Sequence, residues 1–137
     1  MRSRFSVISF FVFFVIFISC TKYEEGPLIS LRSRKARISN TWVIQSVTEV
    51  STGHVTYSGY EGWELQISED GQYKKNILYN GNQTIYEGGW EFVSADVVEF
   101  QYLENQEEII EQFKIIRLAN KELWLRDHLE EVHYMPK

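Results

Sequence analysis

Few side chains in this sequence are placed to do chemistry, and the most telling of them is Cys20, the only cysteine among 137 residues. Ahead of it, Met1-Arg2-Ser3-Arg4 carries two cations, Phe5 to Ile18 runs without a charge, and Ser19 supplies a small residue at the exit. That is the layout of a secretory signal peptide. The uncharged run, about 14 residues, is shorter than the roughly 17–25 that a membrane-spanning helix needs. A thiol at this exit is placed for acylation, and an acylated sulfur cannot also be a nucleophile or a metal ligand. With no second cysteine, an intrachain disulfide is impossible and the core alone must hold the fold.

The remaining candidates for chemistry are weak. His128-Leu129-Glu130-Glu131-Val132-His133 superficially looks like a zinc-peptidase helix, but that motif needs two histidines four apart with Glu next to the first. A separation of five puts the imidazoles on opposite faces of a strand and about 140° apart on a helix. His54 has no thiol or serine motif to work with. Ser68-Glu69-Asp70-Gly71 lacks the further acidic ligands of a calcium loop and reads as a turn. Glu104, Glu107, Glu108 and Glu111 read as a solvated acidic rim. Asn82-Gln83-Thr84 is a glycosylation sequon by pattern only. No catalytic residue, metal or cofactor is expected, and the chain does not read as an enzyme.

Phe17-Ile18-Ser19-Cys20 resembles the lipobox of bacterial lipoproteins, in which a large apolar residue at −3 is normal and the cysteine receives the lipid. An ordinary signal peptidase would want small residues at −3 and −1, and Phe17 is bulky. Two alternatives stand beside it, a cut after Thr21 that discards the cysteine and an uncleaved anchor. The resemblance divides the chain into a signal at 1–19, a lipidated N-terminus with tether and basic lead-in at 20–39, and a body at 40–137. It implies a membrane partner through the lipid on Cys20. Lys22, Glu24 and Glu25 are similar to the charged export signal of Bacteroidetes surface lipoproteins, which implies an outer-membrane protein with its body facing outward. The competing reading of that segment is a solvated spacer, about 65 Å long if twenty residues are extended.

Cleavage before Cys20 leaves 12 basic against 19 acidic residues, a formal charge of −7 on 118 residues, which is one domain. An acidic body excludes nucleic acid as a partner, since that affinity comes from Lys and Arg on phosphates. Arg32, Arg34, Lys35 and Arg37 cluster four cations in six residues, either touching lipid phosphate or forming a solvated face. Four Trp, eight Tyr, Phe92, Phe100 and Phe113 remain to build a core.

From Thr41 onward the pattern predicts short antiparallel strands. Trp42, Ile44 and Val50 mark the first, and His54 to Tyr60 the second. Trp63, Leu65 and Ile67 alternate with polar residues, the period of a half-buried strand. Asp70-Gly71 and Asn80-Gly81 are hairpin signals on either side of Tyr73 to Tyr79. Gly88-Gly89 inside the next strand predicts a bulge or sharp bend. Val97–Tyr102, Glu107–Leu118, Leu123–Arg126 and Val132–Met135 complete eight or nine strands, an all-β barrel or sandwich. In Glu107–Leu118, Ile109, Phe113 and Ile116 fit a helical stripe as well as an alternating one; its isoleucines decide for strand.

Asn40-Thr41-Trp42 is similar to the Gly-x-Trp that opens the first strand of lipocalins, with Asn40 in place of the glycine. Ile115-Ile116-Arg117-Leu118, a short turn and Glu122-Leu123-Trp124-Leu125 resemble the closing hairpin of Bacteroidetes lipocalin-like lipoproteins. The resemblance implies an up-and-down barrel of about eight strands with Trp42 at its closed end under a late-strand arginine, Arg117 or Arg126. A body this short is expected to be filled by its own side chains. Two functions follow. One is a binding barrel for a small apolar or amphipathic ligand, with Trp63, Tyr73, Trp90, Phe100, Phe113 and Trp124 either lining the pocket or packing the core. The other is a filled accessory barrel that presents its rim to an envelope protein.

Overall fold

In the computed structural model the described residues are 32–137 together with the two-residue strand β1 (Glu24–Glu25); Cys20, its signal and most of the tether lie outside them. The basic lead-in forms a short helix, α1 (Arg34–Ile38), capped by Ser33, whose hydroxyl accepts the Ala36 N–H at 3.0 Å. Nine strands follow. They are β2 (Asn40–Glu49), β3 (Val55–Thr56), β4 (Glu64–Ile67), β5 (Gln72–Tyr79), β6 (Asn82–Phe92), β7 (Val97–Glu104), β8 (Glu107–Ala119), β9 (Glu122–Arg126) and β10 (Glu130–Pro136).

Each of β2 and β4 to β10 pairs antiparallel with its neighbour in sequence, and β10 returns to β2, which closes an eight-stranded up-and-down barrel. Closure leaves no free edge along the ring. β3 attaches to β2, and β1 runs parallel to β8 with Glu24 opposite Arg117. Two hairpins turn on paired residues with positive φ, Asn80-Gly81 (49° and 77°) and Asn105-Gln106 (52° and 71°), the twist that matches the flanking strands.

Three expectations are corrected by these pairings. The predicted strand His54–Tyr60 shrinks to Val55–Thr56, and the rest is a turn-rich loop at the barrel mouth. Val50 falls outside the first strand and is 45% exposed, because a bulge changes the side-chain parity of β2. Ser46 faces His133 and Ile44 faces Tyr134, so Gln45 has no partner; Trp42 and Ile44 are buried before it and Val47 after it. The predicted bulge at Gly88-Gly89 is absent, since both residues stay in register with β5 and with β7. Glycine is needed at Gly88 for approach instead: a Cβ there would lie 1.8 Å from the Gln101 carbonyl oxygen.

A second bulge explains the ambiguous periodicity of β8. Ile115 faces Leu125 and Arg117 faces Trp124, which leaves Ile116 unopposed and moves burial from Ile115 to Leu118. The core is continuous from α1 into the barrel, with Ile38, Trp42, Leu118 and Leu123 fully buried at one end and Leu65, Phe100 and Leu125 further in.

Candidate functional site

The two ends of the barrel are built differently. At the closed end the Trp42 indole N–H donates to the Ile38 carbonyl at 2.7 Å, which ties β2 to the helix that plugs the ring. Arg37 is buried beside it and donates to the Leu118 carbonyl at 3.3 Å. Arg34 donates to the Ala95 carbonyl at 2.7 Å and lies 4.1 Å above the Phe92 ring. Read from sequence as a solvated face or a lipid contact, the basic run is thus partly built into the barrel. Trp90 belongs to this end as well, donating to the Ser68 carbonyl at 2.8 Å and meeting Phe92 edge-on.

Towards the other end the barrel holds a cavity of about 210 Å³. Its walls include Tyr60, Trp63, Tyr73, Phe100, Phe113 and Tyr134, with Ile44, Leu65, Leu125 and Val132. Tyr73 and Phe100 meet edge-on at 4.9 Å, Phe100 and Phe113 at 6.0 Å, and Tyr60 and Trp63 at 5.1 Å. Polar groups converge on this apolar surface, as ligand sites require. Behind the wall, Tyr73 Oη and Asn76 Oδ1 are fully buried without a hydrogen-bond partner and present no surface to the cavity. Lys75 Nζ pairs with Glu111 at 2.9 Å while lying 5.4 and 5.7 Å from the Tyr86 and Tyr102 rings. The Tyr60 hydroxyl donates to Glu130 at 2.9 Å. Asp127 accepts the backbone N–H groups of Leu129 and Glu130 at 2.7 and 2.8 Å.

The electrostatics of the cavity are negative. Burial, followed by the nearby carboxylates, pushes the tyrosine hydroxyls up. Tyr102 rises to about 12 through burial and then Glu111 and Glu104. Tyr73 rises through burial and then Glu111, and Tyr134 through burial and then Glu111, Glu130 and Asp127 together.

Of the six aromatic residues singled out from sequence, Trp63, Tyr73, Phe100 and Phe113 line the cavity. Trp90 is core at the closed end. Trp124 faces outward, and both readings made of it are corrected: it is neither lining nor core. Its ring stacks on His133 at 4.0 Å, nearly parallel, with the Arg117 guanidinium 5.4 Å away on the other side. Arg117 also bonds Glu122 at 2.7 Å, and Arg126 bonds Glu131 through Nε at 2.7 Å. Both late-strand arginines therefore work on the outer surface, and the buried arginine of the Trp42 end is Arg37. The sequence reading missed Tyr60, Lys75, Asn76, Asp127, Glu130 and Tyr134 as lining residues and took Glu111 for solvated rim. Lys75 carried a signal: it alternates between Tyr73 and Ile77 at an inward position, where a charged residue is unusual.

His54 and His128 meet a shallow depression of about 370 Å³ beside the mouth, while His133 belongs to the outer stack. Among the described residues no group of three or more His, Cys, Asp or Glu is arranged to hold a metal ion. A wider groove of about 640 Å³ crosses Ser39–Thr41 and Gln66–Ser68 on the outside, open to solvent.

No protein-family model matches this chain, and no curated protein matches it either. Solved structures do share its fold. A lipocalin-like protein from Bacteroides uniformis superposes with a TM-score of 0.60 at 11% identity, over 74% of this chain and 99% of that one. An uncharacterized protein from Bacteroides eggerthii superposes with a TM-score of 0.59 at 10% identity, over 72% of this chain and 98% of that one. The fold is therefore a lipocalin-like barrel, similar to these proteins in architecture.

Proposed function

We propose that this protein is a non-catalytic binding barrel of the bacterial envelope, lipidated on Cys20, held to the outer membrane with its body facing outward, and taking a small amphipathic molecule into its barrel. One observation carries the binding: a cavity whose walls are aromatic, with Trp63, Tyr73, Phe100 and Phe113 among them, and whose border carries carboxylates. A filled barrel would leave no such space between these rings. The size narrows the ligand. An apolar cavity of about 150 Å³ admits benzene, so 210 Å³ takes a body of about eight to ten non-hydrogen atoms, well short of a long-chain fatty acid.

Binding is tested by calorimetric titration of the full chain with 2-phenylethanol, which has nine non-hydrogen atoms; saturable heat is expected, and silence from it together with amine and carboxylate probes of the same size would refute the reading. Anchoring is tested separately, by labelled palmitate entering wild type and not Cys20→Ser. Wild-type protein free of label in a soluble fraction would sink it. Outward display rests on the charged segment after Cys20 and predicts digestion by external protease, lost when Lys22, Glu24 and Glu25 become Ala. The second reading, an accessory barrel that docks an envelope protein by its rim, is favoured by the apolar side chains exposed there, Val55 and Leu129 each at 59% and Tyr57 at 46%.

A further inference from the structure

Within the binding reading just given, on which this step rests, the chemistry of the cavity specifies the charge of its occupant. Four carboxylates, Glu64, Glu111, Asp127 and Glu130, stand around it against one lysine. Two of the four are neutralised, Glu111 by Lys75 and Glu64 by Lys137. Asp127 and Glu130 have no cation beside them among the described residues; their partners are two backbone N–H groups and the Tyr60 hydroxyl. Neither carboxylate is engaged by a cation, so an arriving ammonium gains a charge-assisted contact without displacing one.

The protein's own ammonium shows what this interior stabilises. Lys75 Nζ sits inside the ring at 2.9 Å from Glu111, facing the Tyr86 and Tyr102 rings at 5.4 and 5.7 Å. Carboxylate on one side and aromatic faces on the other form the environment that attracts ammonium groups. Near Glu130 the same elements recur without a cation: Tyr60, Trp63 and Tyr134 supply the rings and Glu130 the charge. We infer that the barrel selects a small protonated amine, a primary ammonium on an apolar or aromatic body of about eight to ten non-hydrogen atoms, with its charge against Glu130 and Asp127. Carboxylates of the same size are repelled, and neutral isosteres lose the ionic contact.

The test titrates the full chain with three probes of matched size, 2-phenylethylamine, 2-phenylethanol and phenylacetate. The amine is expected to bind at least about tenfold tighter than the alcohol, and phenylacetate weakest. Glu130→Gln should weaken the amine about tenfold and leave the alcohol nearly unchanged. Lys75→Gln should strengthen the amine, because it frees Glu111. The alcohol serves in each variant as the check that the cavity is intact. Equal affinity for amine and alcohol, or tighter binding of phenylacetate, would overturn the charge assignment and leave the binding reading standing. A Glu130→Gln variant that loses both probes alike would make Glu130 a wall residue and overturn it too. Silence from all three probes would remove the binding reading itself.

Discussion

Replacing Tyr73 by Phe asks what the barrel interior loses in stability by burying an unsatisfied hydroxyl. The hydroxyl is buried in a side chain 5% exposed and makes no hydrogen bond. The ring is held by Phe100, edge-on at 4.9 Å, and keeps that contact in the variant. Removing the oxygen therefore relieves a desolvation cost of about 1–3 kcal/mol and gives up no bond within the protein. For a domain near 100 residues, each kcal/mol moves the midpoint of thermal unfolding by roughly 4–8 °C. The variant should melt higher than wild type, by about 5 °C or more. Tyr60→Phe is the control of opposite sign, since its hydroxyl donates to Glu130 at 2.9 Å and its loss should cost about 1 kcal/mol. Melting curves of the two variants side by side give the answer. If Tyr73→Phe is destabilised by about 1 kcal/mol or more, the hydroxyl has a partner, and its placement as an unsatisfied buried group is wrong.

Three further outcomes follow from the same geometry. Trp42→Ala should cost about 3–5 kcal/mol, because the ring is fully buried and its N–H bonded to Ile38, whereas Trp124→Ala loses only an outer stack and should cost about 1–2; equal losses in chemical denaturation would contradict this placement. Gly88→Ala should cost about 3 kcal/mol or more, since its Cβ meets the Gln101 carbonyl oxygen at 1.8 Å, while Gly89→Ala, with no atom nearer than 3.8 Å, should stay within about 1 kcal/mol; a Gly88→Ala variant of normal stability would refute the close approach. Above pH 10 the unfolded chain releases tyrosine protons that Tyr73, Tyr102 and Tyr134 retain when folded, Tyr102 up to about 12. Stability should therefore be complete below about pH 10 and fall above it, by about 1.4 kcal/mol per pH unit for each proton held. The last part of the phenolate absorbance should appear together with loss of circular dichroism, and complete tyrosine ionisation with the fold intact would show that these three are not buried.

The barrel could be read from sequence wherever period-2 alternation and turn chemistry agreed. Leu65 and Ile67 alternate cleanly, Asn80-Gly81 fixes its hairpin, and the isoleucines of β8 outweigh a helical stripe. Errors arose where one extra residue breaks the period. Gln45 and Ile116 each sit unopposed in a bulge, and neither is a glycine or a turn residue that would announce it. Gly88-Gly89, which does look like a bulge, is instead the crossing point of two tightly spaced backbones. Parity beyond a bulge cannot be counted from one strand alone, because it depends on the partner's register. Outward Trp124 shows a further limit, since a large aromatic is no less stable outside when His133 and Arg117 supply flat partners across the strands.

The cavity was harder to foresee, for a reason rooted in how the barrel divides its work. Stability is concentrated at the closed end, where Ile38, Trp42, Leu118 and Leu123 are fully buried and α1 caps the ring. That end is largely apolar, and sequence pattern found its Trp42 while missing Arg34 and Arg37 built in beside it. The opposite half holds an inward lysine, tyrosines at inward positions and acids in β8, in the turn after β9 and at the start of β10, a mixture that sequence reading assigns to rim and solvent. Each of these residues is unfavourable to bury alone. Lys75 becomes acceptable only beside Glu111, which is 36 positions away in sequence, and Tyr60 only beside Glu130, 70 positions away. Pairings at that distance are created by closure of the ring. The carboxylates left without a cation after pairing, Asp127 and Glu130, are the groups that the proposed amine would meet. Local pattern therefore finds the frame, and the chemistry proposed for an occupant rests on what the frame leaves unpaired.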